Sequence, residues 1–377
     1  MSWLARSRFA PLRRSTVSRF SHFASENEIV IDARELIALL KKRWEKLDEE
    51  AIPRYKPEHF YPAKLGETVN NTYQLVSKLG FGMTSTVWLA RDTRRWWWQK
   101  NRYASLKICV NNYPAEFMEN EMTLSQRICT ANPSHPGRQF LRPATDTFRI
   151  QGPDGVHPVL VYEAMREPIE MLQMRIGGSF APDLLKTTLG FILTGLDYLH
   201  NLKLDNILIP FESSSLPHKI AREESKRPYP RKTLPDGRII YLSRRNVGDL
   251  MPRKPMGPPR ISDFGAAVQL TNNNKERPTF RIQPASYVAP EVCLGAPWGY
   301  SADIWNLGLL MWELLEGKGL FESIDPEYKK RTERTQLADI VSLLGPPPGS
   351  LLSRGSKSHL FFDPLGTRTS RRSCRVT

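Results

Sequence analysis

Gly80-Phe81-Gly82-Met83-Thr84-Ser85-Thr86-Val87 places two glycines between runs of strand-like sequence. Glycine there lets a hairpin close tightly and leaves backbone N–H groups available to phosphate oxygens. A G-x-G turn is common, and Ser85 stands where a third glycine is frequent. Twenty residues past Val87, Lys107 interrupts the apolar run Ala104-Ser-Leu-Lys-Ile-Cys109. Burying an ammonium is costly without a partner. Either this is an edge strand turned to water, or a carboxylate meets the lysine. Glu121, in the helical stretch ENEMTL, suits that pairing, with Glu119 as the alternative on another helix face. Asp263, in Ile261-Ser-Asp-Phe-Gly265, offers a hard carboxylate suited to Mg²⁺, and Gly265 permits the turn that follows. A D-F-G tripeptide often occurs by chance. One that follows Lys203-Leu-Asp-Asn206 and precedes Ala289-Pro-Glu291 does not.

These side chains need a scaffold, and the pattern of the chain supplies one. YQLVSKLG from Tyr73, STVWLARD from Ser85 and ASLKICV from Ala104 are β-branched, apolar runs separated by turn residues. Pro158 to Met165 reads as a buried strand leaving the core. Residues 114–128, 182–200, 301–316 and 334–345 carry helical patterning. Asp303 stands at one helix start as a candidate cap. Upstream, Asp32-Ala-Arg-Glu35 resembles a capping box before a helix faced by Leu36, Leu40, Trp44 and Leu47. Residues 52–68 read as an extended strap. Residues 210–260 hold nine prolines and dense charge, the composition of a loop-rich insertion.

The net charge of +15 is concentrated. Residues 1–25 carry five Arg and no acid, and residues 219–260 carry twelve Lys/Arg against four Asp/Glu. Residues 354–377 carry six against one. Basicity therefore belongs to the tails and one internal segment, which favours a solvated or acid-facing segment over a nucleic-acid surface. The first 25 residues, rich in Arg and Ser, have the composition of a mitochondrial transit peptide, although Pro11 weakens the helix such a peptide forms. Four cysteines, Cys109, Cys129, Cys293 and Cys374, stand far apart, which fits a reducing compartment without structural zinc. No apolar stretch is long enough to span a bilayer.

In this order the motifs resemble those of the eukaryotic protein kinases. LGFGMTSTVWLARD, ASLKICV, LKLDNIL, ISDFGAA and LGPPPGSLLSRG are most similar to the SR-protein-specific serine/threonine kinases, whose spacer also divides the domain after Asn206. The resemblance covers about residues 55–365. It implies an α+β, two-lobed kinase fold with a β-rich N-lobe, a helical C-lobe, ATP and Mg²⁺. The implied division is a basic tail over 1–27, a helix and strap over 28–72, an N-lobe and hinge over 73–165, a C-lobe over 166–365 with the insertion at 210–260, and a tail over 366–377. Leu79, Gly80, Gly82 and Val87 would cover the nucleotide, and Tyr162 would be the gatekeeper. The backbone of Glu163 to Met165 would meet the adenine edge. Lys107, oriented by Glu121, would hold the α- and β-phosphates, Asn206 and Asp263 would bind metal, and Lys203 would neutralise the transferred group. The implied partner is an Arg/Ser-rich protein substrate, met by a monomer in cytoplasm or nucleus without direct nucleic-acid binding.

The chain departs from the family in three places. In Leu196-Asp-Tyr-Leu-His-Asn-Leu-Lys-Leu-Asp-Asn206, only Asn201 separates His200 from Leu202, where family members carry a short strand and H-x-D. The base-bearing aspartate is missing, and neither Asn201 nor Asp205 replaces it. The expected C-lobe lacks its final helices and the arginine that pairs with Glu291, leaving that carboxylate partly buried and alone. Pro284 replaces a frequent threonine. Three readings follow: a kinase of impaired activity, a non-catalytic nucleotide-binding scaffold whose basic insertion recruits a partner, or, more weakly, a fragment that never folds stably.

Overall fold

Alternation of buried and exposed side chains sets the N-terminal half. A computed structural model describes residues 46–94, 102–198, 206–245, 247–248, 256–265, 267 and 277–363. From Leu47 onward these belong to one unit. The helix expected over 32–47 falls almost wholly outside the described residues, as do the N-terminal tail and the junction from His200 to Asp205.

Strands β1 (Thr68–Val69), β2 (Tyr73–Gly82), β3 (Ser85–Asp92), β4 (Tyr103–Cys109), β6 (Asp146–Gly152) and β7 (Gly155–Glu163) form one antiparallel sheet, ordered β1-β2-β3-β4-β7-β6. Leu75, Trp88, Ala90, Leu106, Ile108, Val159 and Val161 make the core on one face. On the other face Cys109, Leu160 and Tyr162 pack with Met118 of helix α1 (Ala115–Thr130). Because β7 has a paired strand on each edge and packing on both faces, it is an unbroken buried run from His157 to Tyr162.

A second sheet, ordered β5-β12-β9-β8, joins β5 (Leu141–Arg142), β8 (Met165–Pro168), β9 (Ile207–Pro210) and β12 (Arg260–Ser262). Helices α2 (Ile169–Arg175) and α3 (Pro182–Tyr198) pack against it through Ile169, Leu172, Ile192 and Leu196, which share a core with Ile207, Ile261 and Phe264.

The insertion differs from its loop-rich expectation. It holds a twelve-residue helix, α4 (Ser215–Lys226), and a hairpin of β10 (Arg231–Thr233) and β11 (Ile239–Tyr241). Leu216, Ile220, Ile240, Tyr241 and Val247 are buried, giving this charged segment an apolar face. Several of its cations are also paired with acids of the protein. Arg244 pairs with Glu224 at 2.6 Å, Lys232 pairs with Glu50 at 2.9 Å, and Arg238 pairs with Asp154 and Asp236. Beneath it, Lys78 Nζ is buried between Glu49 and Asp48 Oδ2, the latter at 3.1 Å, and donates to the Tyr241 carbonyl at 2.9 Å. The turn before the strap, the sheet and the insertion are thus joined by one buried cluster of charge.

The remaining helices are α5 (Pro290–Cys293), α6 (Ser301–Glu316), α7 (Glu333–Leu344), α8 (Gly349–Leu352) and α9 (Ser358–Phe361). Asp303 is not the cap of α6. Tyr300 occupies the cap position and Asp303 is buried in the first turn, where a negative charge still suits the helix dipole. Glu291 is half-buried and accepts a hydrogen bond from Ser301 Oγ at 2.9 Å, so a hydroxyl on α6 serves this carboxylate.

Candidate active site

The glycine turn is a two-residue hairpin. Gly82 pairs with Ser85 across Met83 and Thr84, and Gly80 pairs with Val87. A Cβ at Gly80 or Gly82 would meet nothing within 4 Å, so both glycines border open space. Val87 in turn pairs with Lys107 on β4, which pairs with Leu160 on β7. The period of two places Leu106 and Ile108 in the sheet core and Lys107 on the opposite face.

Lys107 Nζ meets Asp263 Oδ1 at 2.8 Å. Burial pulls the ammonium's pKa down, but the charge and hydrogen bond of Asp263 outweigh this and leave it raised. Asp263 has φ 62, the left-handed region that non-glycine residues seldom adopt, which turns its carboxylate toward the lysine. Asn206 Nδ2 lies 3.4 Å from the Asp263 carbonyl. Three of the expected site residues therefore come together from β4, the start of β9 and the turn after β12.

Glu121 sits apart from the pairing expected of it. It is completely buried on α1, and its Oε1 accepts from the Tyr162 hydroxyl at 3.0 Å and the Phe264 backbone N–H at 3.1 Å. Lys107 reaches Asp263 instead, so the expected Lys107–Glu121 ion pair is absent here. The physical reason is competition: two neutral donors satisfy one oxygen of Glu121, while Asp263 offers Lys107 the more exposed carboxylate. Burial, with the charge of Asp263 adding to it, raises the Glu121 pKa from 4.5 to about 7. Glu121 Oε2 has no hydrogen-bond partner. A Cβ on Gly265 would stand 3.0 Å from that oxygen and crowd it.

Sequence reasoning passed over several residues that hold this arrangement. Asn120 donates to the carbonyls of Gly265 and Ala267 at 3.2 and 3.0 Å, so adjacent residues of α1 grip the D-F-G segment. Gln283, beside Pro284, donates to Ala302 O and Asn306 Oδ1 and accepts from Ala289 N–H, which ties the A-P-E segment to α6. Arg142 is buried on β5 against Tyr162. None carries a spacing signal, because each acts on backbone far away in sequence. Lys203 lies outside the described residues.

Comparison with known proteins decides the family. A serine/threonine protein kinase of Aspergillus fumigatus is 34% identical over 325 residues, covering 85% of this chain and 77% of that kinase. This chain belongs to the serine/threonine protein kinases. The sequence model of the protein kinase domain matches residues 247–358 of the kinase. The serine/threonine-protein kinase SRPK of Physarum polycephalum is 28% identical over 347 residues, 85% of this chain and 78% of its own. SRSF protein kinase 3 of Mus musculus is 32% identical over 174 residues, 43% of this chain and 30% of its own. The sheet-rich first half and helical second half are accordingly the two lobes of a kinase, a family whose phosphoryl donor is ATP. No helix among the described residues is long and apolar enough to cross a membrane.

Proposed function

We propose that the cleft between the glycine hairpin and the Asn206–Asp263 segment takes MgATP and directs its γ-phosphoryl group to serine or threonine hydroxyls of Arg/Ser-rich proteins. The observation that carries this reading is the meeting of Lys107 with Asp263 at 2.8 Å beside Asn206. A hard oxygen donor next to an amide fits Mg²⁺, which takes one or two protein ligands and fills its shell with phosphate and water. Bound there by Asp263 and Asn206, the metal would neutralise charge on the phosphates. Lys107 would hold the α- and β-phosphates. Leu79, Gly80, Gly82 and Val87 would cover the nucleotide. Tyr162 would stand at the back of the base pocket, with the Glu163–Met165 backbone against the adenine edge. Lys203 would neutralise charge on the transferred group.

The substrate hydroxyl still needs an acceptor for its proton. With only Asn201 between His200 and Leu202, no carboxylate stands in that role, so this polypeptide is proposed to turn over poorly. Purified full-length chain should transfer little phosphate from ATP to an Arg/Ser-rich peptide. Rates near the ordinary kinase range of about 1–100 s⁻¹ would refute the impairment.

The same junction favours a second reading, a nucleotide-binding scaffold. Its mark is a Tm raised by MgATP without phosphotransfer. Under either reading the protein is proposed to act as a monomer in cytoplasm or nucleus, with a protein partner. Internal pairing of Lys232, Arg238 and Arg244 supports a structural use of the insertion's charge over direct nucleic-acid binding.

A further inference from the structure

The nucleotide cleft contains a buried cation that phosphoryl transfer does not call for. Arg142 lies on β5 in register with Ser262, the residue before Asp263. Its residue exposure is 7%. Nε and Nη2 both donate to the main-chain carbonyl of Glu163, at 2.8 and 2.5 Å, and Nη1 donates to Ser262 Oγ at 3.1 Å. The guanidinium carbon stands 4.7 Å from the centroid of the Tyr162 ring. The Glu163 carboxylate does not neutralise it, being paired with Arg260. Burial lowers the Arg142 pKa to about 10, which leaves it a cation at neutral pH.

One planar group thus bridges the backbone that follows Tyr162 to the residue before Asp263, across the back of the cleft. A carbonyl has two lone pairs, and here two N–H groups of a cation address it. On the reading given above, the Glu163 carbonyl belongs to the backbone that meets the adenine edge, where an exocyclic amine needs an acceptor. We propose that Arg142 occupies this acceptor and so frees the base pocket from dependence on the 6-amino group. Purine nucleotides without that amine then bind this kinase almost as well as adenine nucleotides. Arg142 would act as a specificity residue, by removing a contact the base would otherwise make.

The inference rests on the assignment of Glu163 to the nucleotide-facing backbone, and the test separates the two. The full chain is titrated calorimetrically with MgADP and with the magnesium complex of purine riboside diphosphate. The two Kd values are expected to agree within about threefold for the natural sequence. In Arg142→Leu the carbonyl is released, and loss of the amine should then cost about tenfold, the worth of one hydrogen bond at the upper end. A tenfold preference for ADP in the natural sequence would overturn the proposal while leaving nucleotide binding intact. An unchanged ratio in Arg142→Leu would overturn it too. If neither nucleotide binds the natural sequence, the cleft reading itself fails and takes the inference with it. Should the variant not fold, the ratio measured on the natural sequence decides alone.

Discussion

At the scale of single residues, the carboxylates of the cleft are distinguished by their surroundings rather than their type. Asp263 is half-exposed beside a lysine, whereas Glu121 is fully enclosed with one oxygen lacking a donor. Replacing Asp263 with Asn would remove a charged hydrogen bond and the proposed metal ligand together. Asp263→Asn is expected to weaken MgATP binding about 10- to 100-fold, read by calorimetry with and without Mg²⁺. Binding that stays unchanged in the presence of Mg²⁺ would remove Asp263 from the site. Glu121 makes a pH prediction. Its folded pKa of about 7 lies above the ordinary 4.5, so between these values the folded state holds a proton that the unfolded state has lost. Stability from this group is full below about pH 4.5 and is lost as pH rises through 7, by a few kcal/mol at most. Glu121→Gln keeps an acceptor for Tyr162 and Phe264 but cannot titrate. The Tm difference between the natural chain and Glu121→Gln should therefore shift in the variant's favour from pH 5 to pH 8. A difference that stays constant across that range would show that Glu121 does not titrate there.

At the scale of elements, the strands and helices that carry the site were legible because their apolar periodicity is local. The runs from Tyr73, Ser85 and Ala104 became β2, β3 and β4, and the glycine turn between the first two became a tight hairpin. What the sequence hid was contact at a distance. Tyr162 reaches Glu121 across 41 positions, and Ser243 donates to Asp48 across 195. The helix and hairpin inside the insertion were hidden for the same reason. Its prolines and charges are conspicuous, while Glu50 and Asp154, which pair with Lys232 and Arg238, lie far away in sequence. Lys78 is the keystone, since it stands between two buried carboxylates with a side-chain exposure of 1%. Lys78→Met would strand both acids out of water and is expected to cost about 3–5 kcal/mol in urea unfolding. Neutralising the acids as well, with Asp48→Asn and Glu49→Gln, should recover much of that loss. A single variant as stable as the natural chain would mean that these groups are not buried in solution.

At the scale of the whole molecule, the fold brings the parts of the proposed nucleotide site within reach of one another, while the sequence shortens the catalytic loop that the family carries. Positioning and proton transfer are separable contributions to phosphoryl transfer. The first is proposed to depend on Lys107, Asn206 and Asp263, which this fold brings together. The second depends on a carboxylate that the sequence omits between His200 and Leu202. General-base catalysis is worth about 10²–10⁴-fold, so its absence alone would leave binding intact and turnover slow. Inserting a short strand and H-x-D at that junction should therefore raise phosphotransfer to an Arg/Ser-rich peptide by about that factor, with the ATP affinity changed little. A rise in both rate and affinity would instead mean that the shortened loop distorts the nucleotide site, since the base acts on the hydroxyl and not on bound ATP. No rise at all, with ATP still bound, would place the defect elsewhere in the C-lobe and favour the scaffold reading.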